Sequence, residues 1–374
     1  MKKLAFIDAL RGLAILCVLM IHTDQYGTTS VARLPQLVIA QGMRGVQLFF
    51  LVSAFTLFYS FRHRSSADAK PIRNFYIRRF FRIAPLYYLG IVYYLFQEGL
   101  GPRYWLGDET HITPANIVAN VLFLHGFNPY WITSVVPGGW SIAVEMLFYA
   151  VLPVLFFRVK KLNDAFTAFV MSLLLNAGLR ALFTTFPLIT DSRLWDDYLI
   201  MYLPSQLPVF CLGILLYFVV VANEGIRQLS GRSILLLTGL LFAQLITGNQ
   251  YLFPDYLVFS FGFLGLAYGL SQYRFVGFVN PVVNYIGTIS FSLYLVHFAV
   301  LHGLTKLELV DFVADGTLNY LIRFALVLAV SVGVASIVYR VVEVPGQALG
   351  QKLIDGLEQR AGRYHNDAVE DIKA

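Results

Sequence analysis

The stretch IDALRGLAILCVLMIH, Ile7 to His22, sets ionisable side chains into an apolar run. A charged residue at the bilayer centre costs about 2.5–3.5 kcal/mol on insertion scales, so keeping one asks for a partner or a task. Arg11 and His22 share a helical face and lie about 16 Å apart along its axis. A guanidinium can hold an anion or polarise a carbonyl, and an imidazole can take a proton from a hydroxyl near neutral pH. Asp8, one turn before Arg11, is placed to pair with it. The plainer reading is a neutralised Asp8–Arg11 pair and a His22 in interfacial water; residue types alone do not separate the two.

NFYIRRFFRIAPLYYLGI puts Arg79 and Arg82 on one face, beside Arg78, where a helix begins. Guanidinium forks and the free N–H groups of a helix N-terminus together receive phosphate well. Positive-inside flanking accounts for Arg78, and less well for Arg82, which follows two phenylalanines into the bilayer. Pro85, one turn on, opens the backbone there. In PGGWSIAVEMLFYAVLP, Ser141 and Glu145 share a face and can hydrogen-bond. A Pro-Gly-Gly re-entry at the outer surface puts Glu145 on the same side of the membrane as His22, as a candidate to orient that imidazole; a structural polar contact is the alternative. YIGTISFSLYLVHF aligns Ser290, Tyr294 and His297 on one face. A lone histidine on an apolar face is more often a packed, hydrogen-bonded core residue, and that reading is preferred for His297. YRVVEVPG closes the last span, with Arg340 and Glu343 read as capping or stapling its end.

These residues need a bundle to hold them. The 374-residue chain is 57% hydrophobic and only 13% charged, against about 25% charged in soluble domains, and its mean hydropathy is +0.66. The expected fold is all-α: a polytopic membrane helical bundle of ten spans, centred on 4–24, 45–61, 76–96, 138–158, 164–186, 198–222, 232–248, 252–271, 283–303 and 319–342. Ile117–Leu124 is too short to span. No cleavable signal peptide is expected ahead of the first span. The formal charge of +6 reads as basic cytoplasmic loops rather than a nucleic-acid site. Lys2, Lys3, the arginines and lysine of 62–79, Arg158, Lys160, Lys161, Arg227, Arg232, Arg274 and the basic tail then all lie inside, with both termini cytoplasmic. Residues 1–345 form one transmembrane domain and 346–374 a short charged tail. Cys17 and Cys211 sit in apolar segments, so neither a disulfide framework nor a metal site is expected.

Six blocks in chain order, FIDALRGLAILCVLMIH, GVQLFFLVSAF, RRFFRIAPLYYLG, WSIAVEMLFY, IGTISFSLYLVHF and YRVVEVP, together resemble the acyltransferase-3 family of bacterial membrane O-acyltransferases. The resemblance covers most of the spans. It implies transfer of an acyl group, usually acetyl, from cytoplasmic acyl-CoA to a hydroxyl of a glycan or lipid-linked sugar beyond the bacterial inner membrane. Glycan-assembly machinery is a further partner on that reading. The family's essential pair falls on Arg11 and His22, and its arginine motif on Arg79 and Arg82, with Arg78 assisting at the CoA phosphates. Arg11 would hold the donor's path or polarise the thioester carbonyl. His22 would act as base for direct transfer or carry the acyl group itself, with Glu145 as its orienter. Asp8, Ser53, Ser141, Tyr294, His297 and Glu343 are further candidates. A thioester is already activated, so no metal is called for. Ala9 and Ala54 stand where the family often has glycine, and Met146 where a second acid often follows, which bears on helix packing and acceptor choice. Tyr104, Trp105, Tyr130 and Trp131 suit either sugar stacking or an interfacial belt and stay unassigned. The alternative function is a proton-coupled transporter or flippase using the same charges as a relay; the repeated halves common in such proteins are not evident in the sequence.

Overall fold

The computed structural model describes residues 4–107, 111–223 and 254–371, with six further positions between 235 and 246. Among the described residues all regular structure is helical. Helix α1 is Ala5–Gln25; α2 (Arg33–Ala40) runs through a 3-10 turn (Gln41–Arg44) into α3 (Gly45–Arg64). Then come α4 (Pro71–Glu98), α5 (Pro114–Val121), α6 (Gly139–Arg158), α7 (Leu162–Thr185), α8 (Ser192–Met201) and α9 (Leu203–Val220). The chain continues as α10 (Asp255–Gln272), α11 (Pro281–Thr288), α12 (Ser290–Lys306), α13 (Gly316–Val338), a π turn (Tyr339–Glu343) and α14 (Val344–Asp371).

Among the described residues six stretches are long and apolar enough to cross a bilayer: Ala5–Gln25, Arg33–Arg64, Gly139–Arg158, Leu162–Thr185, Ser192–Val220 and Gly316–Gln359. The pair α11–α12, bent by 78°, makes a seventh if it counts as one span. The sequence reading counts ten, and the difference has physical sources. The 76–96 stretch is a 28-residue helix, but Arg78, Arg79 and Arg82 dilute its apolar window. The 252–271 stretch becomes an 18-residue helix whose ends, Asp255 and Ser271–Gln272, are polar. The 232–248 stretch lies mostly outside the described residues, as do Arg227 and Arg232. The short segment around Ile117 is an eight-residue helix, too short to span.

Helix α1 is the axis of the bundle, packed on α3, α11, α12 and α13. Leu10, Ala14, Ile15 and Leu19 are fully buried along it. Its crossing with α11 is close enough that a Cβ on Gly287 would stand 1.8 Å from the Asp8 carbonyl oxygen. A small residue is needed for two backbones to approach that far. On the other side of α3, Phe50 meets Phe210 at 4.7 Å, and Phe210 stacks on Phe148 of α6 at 4.0 Å. Val92, Phe96, Phe166 and Leu174 are exposed on α4 and α7. In a bilayer such faces meet lipid, where apolar side chains are the matching surface.

The last span does not end at YRVVEVPG as expected. A π turn, which takes one extra residue per hydrogen-bonded turn, re-aims the helix and carries it on into α14. Glu343 is therefore no terminal cap: it is 2% exposed and accepts a hydrogen bond from Ser292 at 2.8 Å, while Arg340 is exposed. Helix α14 lies along α4, where Glu358 accepts from Asn74 at 2.7 Å. The segment after Pro345 thus begins as a packed helix.

At the opposite end, Arg323 fastens α1 to the α12–α13 loop. Its fully buried guanidinium donates to the Thr23 carbonyl at 3.0 Å, the Val310 carbonyl at 2.7 Å and Asp311 at 3.2 Å. Asp311 also accepts from Thr28 Oγ1 at 2.6 Å and Asn319 at 2.6 Å. The Thr28 hydroxyl first, and then Asn319 and Arg323, hold the Asp311 carboxyl below its ordinary value. The stabilisation is therefore complete above the unfolded value of about 3.9 and is lost as pH falls through the lower folded value. Thermal unfolding in detergent between pH 7 and pH 3 is expected to show the wild type losing stability at the acid end. Asp311→Asn should start lower at pH 7 and lose less on acidification.

Candidate active site

Two cavities meet in the bundle. The first, of about 80 Å³, gathers Arg11 from α1, Ser53 and Thr56 from α3, Arg79 and Arg82 from α4, and Glu145 and Tyr149 from α6. Ser290 and Phe291 at the start of α12 also line it, bringing the positive end of a 17-residue helix to the arginines. Arg11 donates to Thr56 Oγ1 at 3.0 Å and meets Asp8 at 3.4 Å, so the expected Asp8–Arg11 pair forms. Glu145 Oε1 accepts from Ser53 at 2.5 Å and Tyr149 at 2.6 Å. Among the described residues neither Arg79 nor Arg82 makes an ion pair within 4.0 Å. Glu145 acts electrostatically on both arginines, and Glu343 acts on Arg82 more strongly than Glu145 does. The Nε of Arg79 is buried with no hydrogen-bond partner. Arg78 does not line this cavity; it pairs with Asp68 on the preceding loop.

The second cavity, of about 750 Å³, is lined by His22, Gln25, Arg44, Gln47, Trp105 and Trp140, among others. His22 Nδ1 lies 2.9 Å from Gln25 Oε1. An amide oxygen only accepts, so Nδ1 carries the proton and Nε2 presents a bare lone pair. His297 is fully buried beside it, with ring centroids 5.4 Å apart.

Glu145 does not orient His22; Gln25 does. The reason is depth. Val135 and Val136, before the Pro-Gly-Gly turn, are buried in the core, so the turn lies inside the bundle rather than at its surface. Six residues further along α6, Glu145 has reached the level of the arginines. Ser141 likewise bonds elsewhere: its hydroxyl meets the Tyr294 hydroxyl at 2.8 Å and the Gly138 carbonyl at 3.1 Å. Tyr294 donates to that carbonyl at 2.9 Å, and its side chain and Val46 line both cavities. Tyr294 is thus part of the partition between them. Sequence reasoning missed Gln25, Thr56 and Tyr149. Gln25 and Tyr149 stand three and four residues after His22 and Glu145, a helical spacing that does announce contact.

A family model described as an acyltransferase domain matches residues 4–340. The chain belongs to the acyltransferase-3 family. Membership implies acyltransferase activity in a multi-pass membrane protein. No curated protein and no solved structure matches the chain significantly. In this acyltransferase, Arg11 and His22, which share one helix, are divided between two cavities. Arg11 lines one and His22 the other.

The partition makes Gly138 sensitive. Its φ is +72°, and an added Cβ would stand 2.7 Å from the Tyr294 hydroxyl. Left-handed backbone costs a non-glycine residue about 1–2 kcal/mol. Gly138→Ala is expected to lower stability by at least that much, read as a reduced unfolding midpoint in detergent. Adding Tyr294→Phe, which removes the opposing oxygen, should recover part of the loss.

Proposed function

We propose that this acyltransferase moves an acyl group, acetyl in the simplest case, from cytoplasmic acyl-CoA to a hydroxyl of a glycan or lipid-linked sugar across a bacterial inner membrane. The observation that carries the reading is a pair of arginines, Arg79 and Arg82, free of direct ion pairs and facing one cavity. A bare imidazole nitrogen stands in the adjoining one. The charge asymmetry supports a cytoplasmic N-terminus and a cytoplasmic start of α4. Arg79, Arg82 and the N-terminus of α12 then receive the CoA phosphates. The pantetheine arm extends along α1 past Tyr294 towards His22.

Arg11 and His22 stand about 16 Å apart along one rigid helix, so a single carbonyl cannot touch both. Arg11, steadied by Asp8 and Thr56, therefore serves the donor's path; it does not polarise the carbonyl that the acceptor attacks. In the transfer step the acceptor's O–H proton passes to His22 Nε2 and its oxygen bonds to the thioester carbon. The C–S bond breaks, and CoA leaves with the electron pair and takes up a proton as the free thiol. Gln25 keeps Nδ1 protonated and the ring aimed. The second cavity offers Trp105 and Trp140 as faces for a sugar, with amides and charged groups for its hydroxyls. Glycan-assembly proteins would deliver that acceptor. Membership of an acyltransferase family gives the transporter reading no support.

Inverted membrane vesicles containing the full chain, given radiolabelled acetyl-CoA, should transfer label to vesicle-bound material. His22→Ala should lower transfer about 100- to 10,000-fold, the usual range for a general base. Losing charge-assisted hydrogen bonds worth about 1.5–3 kcal/mol each, Arg79→Ala with Arg82→Ala should raise the KM for acetyl-CoA more than tenfold, leaving the acceptor requirement nearly unchanged. Equal effects on donor and acceptor would count against a phosphate site. Acylated His22 accumulating without acceptor would replace direct transfer by a covalent route.

A further inference from the structure

The wall of the second cavity carries two arginines that are held differently. Arg103 is occupied: its terminal nitrogens donate to the carbonyls of Ser134 at 2.8 Å, Val135 at 2.9 Å and Gly99 at 2.9 Å, and it pairs with Glu98 at 3.3 Å. Arg44 ends the 3-10 turn before α3. Among the described residues its side chain makes no ion pair within 4.0 Å and no hydrogen bond, and its Nε is buried without a partner. Arg44 is instead set against α10. The Phe259 ring lies 5.9 Å from its guanidinium carbon, and Asp255, one turn before Phe259, acts on it electrostatically. A guanidinium placed in this way is oriented and partly compensated while its N–H fork stays unspent.

The same wall holds further orphan polar atoms. Gln47, three residues after Arg44, donates its amide N–H to Gln206 at 3.2 Å and leaves its Oε1 buried without a partner. Thr133 Oγ1 is likewise buried and unpartnered. Buried polar groups without partners are costly, and exceptions ask for an explanation. The two acids of this wall are engaged elsewhere: Glu98 faces Arg103, and Asp197 is acted on by Arg193, four residues before it on α8. The turn itself is fixed beside His22. A Cβ on Gly42 would stand 2.3 Å from the Cys17 carbonyl oxygen and 3.0 Å from Ile21, so it lies against the stretch of α1 that runs into His22.

We propose that Arg44 is an oxyanion subsite for the acceptor: the sugar that offers its hydroxyl to His22 also carries a carboxylate or a phosphate, and the Arg44 fork receives it. This rests on the acyl-transfer reading above and names the acceptor's class. The oxyanion belongs either to an acidic sugar or to the phosphate that joins a sugar to its lipid carrier. Gln47 Oε1 then accepts from a neighbouring hydroxyl. Anchoring one end of the acceptor at Arg44 limits the orientations its reacting hydroxyl can take at His22. A neutral sugar leaves the guanidinium unpaired and binds more weakly.

The test titrates the purified full chain in detergent with methyl glucuronoside, glucose 1-phosphate and methyl glucoside, read by the fluorescence of its tryptophans, of which Trp105 and Trp140 line the cavity. At least one anionic probe should bind the wild type about tenfold tighter than the neutral one, the scale of one charge-assisted hydrogen bond. Preference for the glucuronoside assigns a sugar carboxylate, and preference for glucose 1-phosphate a phosphate. Arg44→Gln should abolish the preference, and Arg44→Lys, which keeps the charge without the fork, should retain part of it. In the vesicle assay, Arg44→Gln should lower transfer at saturating acetyl-CoA about tenfold, with the KM for acetyl-CoA within about twofold of wild type. No anion preference in the wild type, a preference that survives in Arg44→Gln, or undiminished transfer by that variant would overturn the proposal. Wild-type vesicles no more active than His22→Ala, with the anion preference intact, would remove the acyl-transfer reading and keep the anion site. Active vesicles without the preference remove the proposal alone.

Discussion

Charge buried in a membrane bundle must be compensated by the protein, because lipid offers neither dipoles nor counter-ions. Here three arginines converge on one cavity, and the compensation is arranged in a particular way. Asp8 answers Arg11 directly. Glu145 and Glu343, the acids near Arg79 and Arg82, instead take their hydrogen bonds from hydroxyls and an amide: Ser53 and Tyr149 in one case, Ser292 and Gln347 in the other. The acids thus supply charge at a distance while their oxygens are occupied. The guanidinium N–H groups of Arg79 and Arg82 keep capacity for something else. A directly paired cluster would be electrostatically quieter but closed to an anion, because breaking a buried ion pair leaves an uncompensated charge.

Much of the architecture exists to hold that arrangement. The π turn at Tyr339–Glu343 brings Glu343 inward, and α14 then braces α4 through Asn74 and Glu358. Helix α1 links the arginine level to the histidine level as one rod, pressed against α11 at Gly287 and fastened by Arg323 through the Thr23 carbonyl. That carbonyl belongs to the residue after His22, so the fastening fixes the imidazole's backbone as well as the helix end. Gln25, three residues on, fixes the ring. Positioning of this kind, by residues themselves locked in place, is what a proton-transfer group requires.

What could be read from the sequence follows from what is local. The shared stripe of Arg11 and His22, the Asp8–Arg11 pair and the common destination of Arg79 and Arg82 all depend on helical spacing within one element, and the structure keeps them. Spacing puts Glu145 on the side of His22, whereas the structure sets it among the arginines, because its level depends on how deep the Pro-Gly-Gly turn sits. That depth is set by the buried segment before it, a tertiary property. Thr56 reaches Arg11 from a different helix, which no single-helix spacing announces. Val-Pro-Gly at 344–346 reads as a stop because proline cannot donate a backbone hydrogen bond. Yet Pro345 stands at the second residue of α14, just past the π turn, where a helix can accept it. The span count differs for a related reason: α4 is a complete helix whose arginines make it look less like one that enters a bilayer.

The separation of cationic and basic sites into two cavities has a chemical logic. Phosphates need guanidinium groups, whereas a neutral imidazole beside those same groups would be set in a field that competes for the acceptor's developing negative oxygen. A wall that includes Tyr294, pinned to the Gly138 carbonyl and Ser141, lets each site keep its own electrostatics. In the proposed reaction the reactive end of a long donor, rather than its charged end, would cross between them. The amide at Gln25 fits the same logic: it holds the ring of His22 without setting a further charge directly against it.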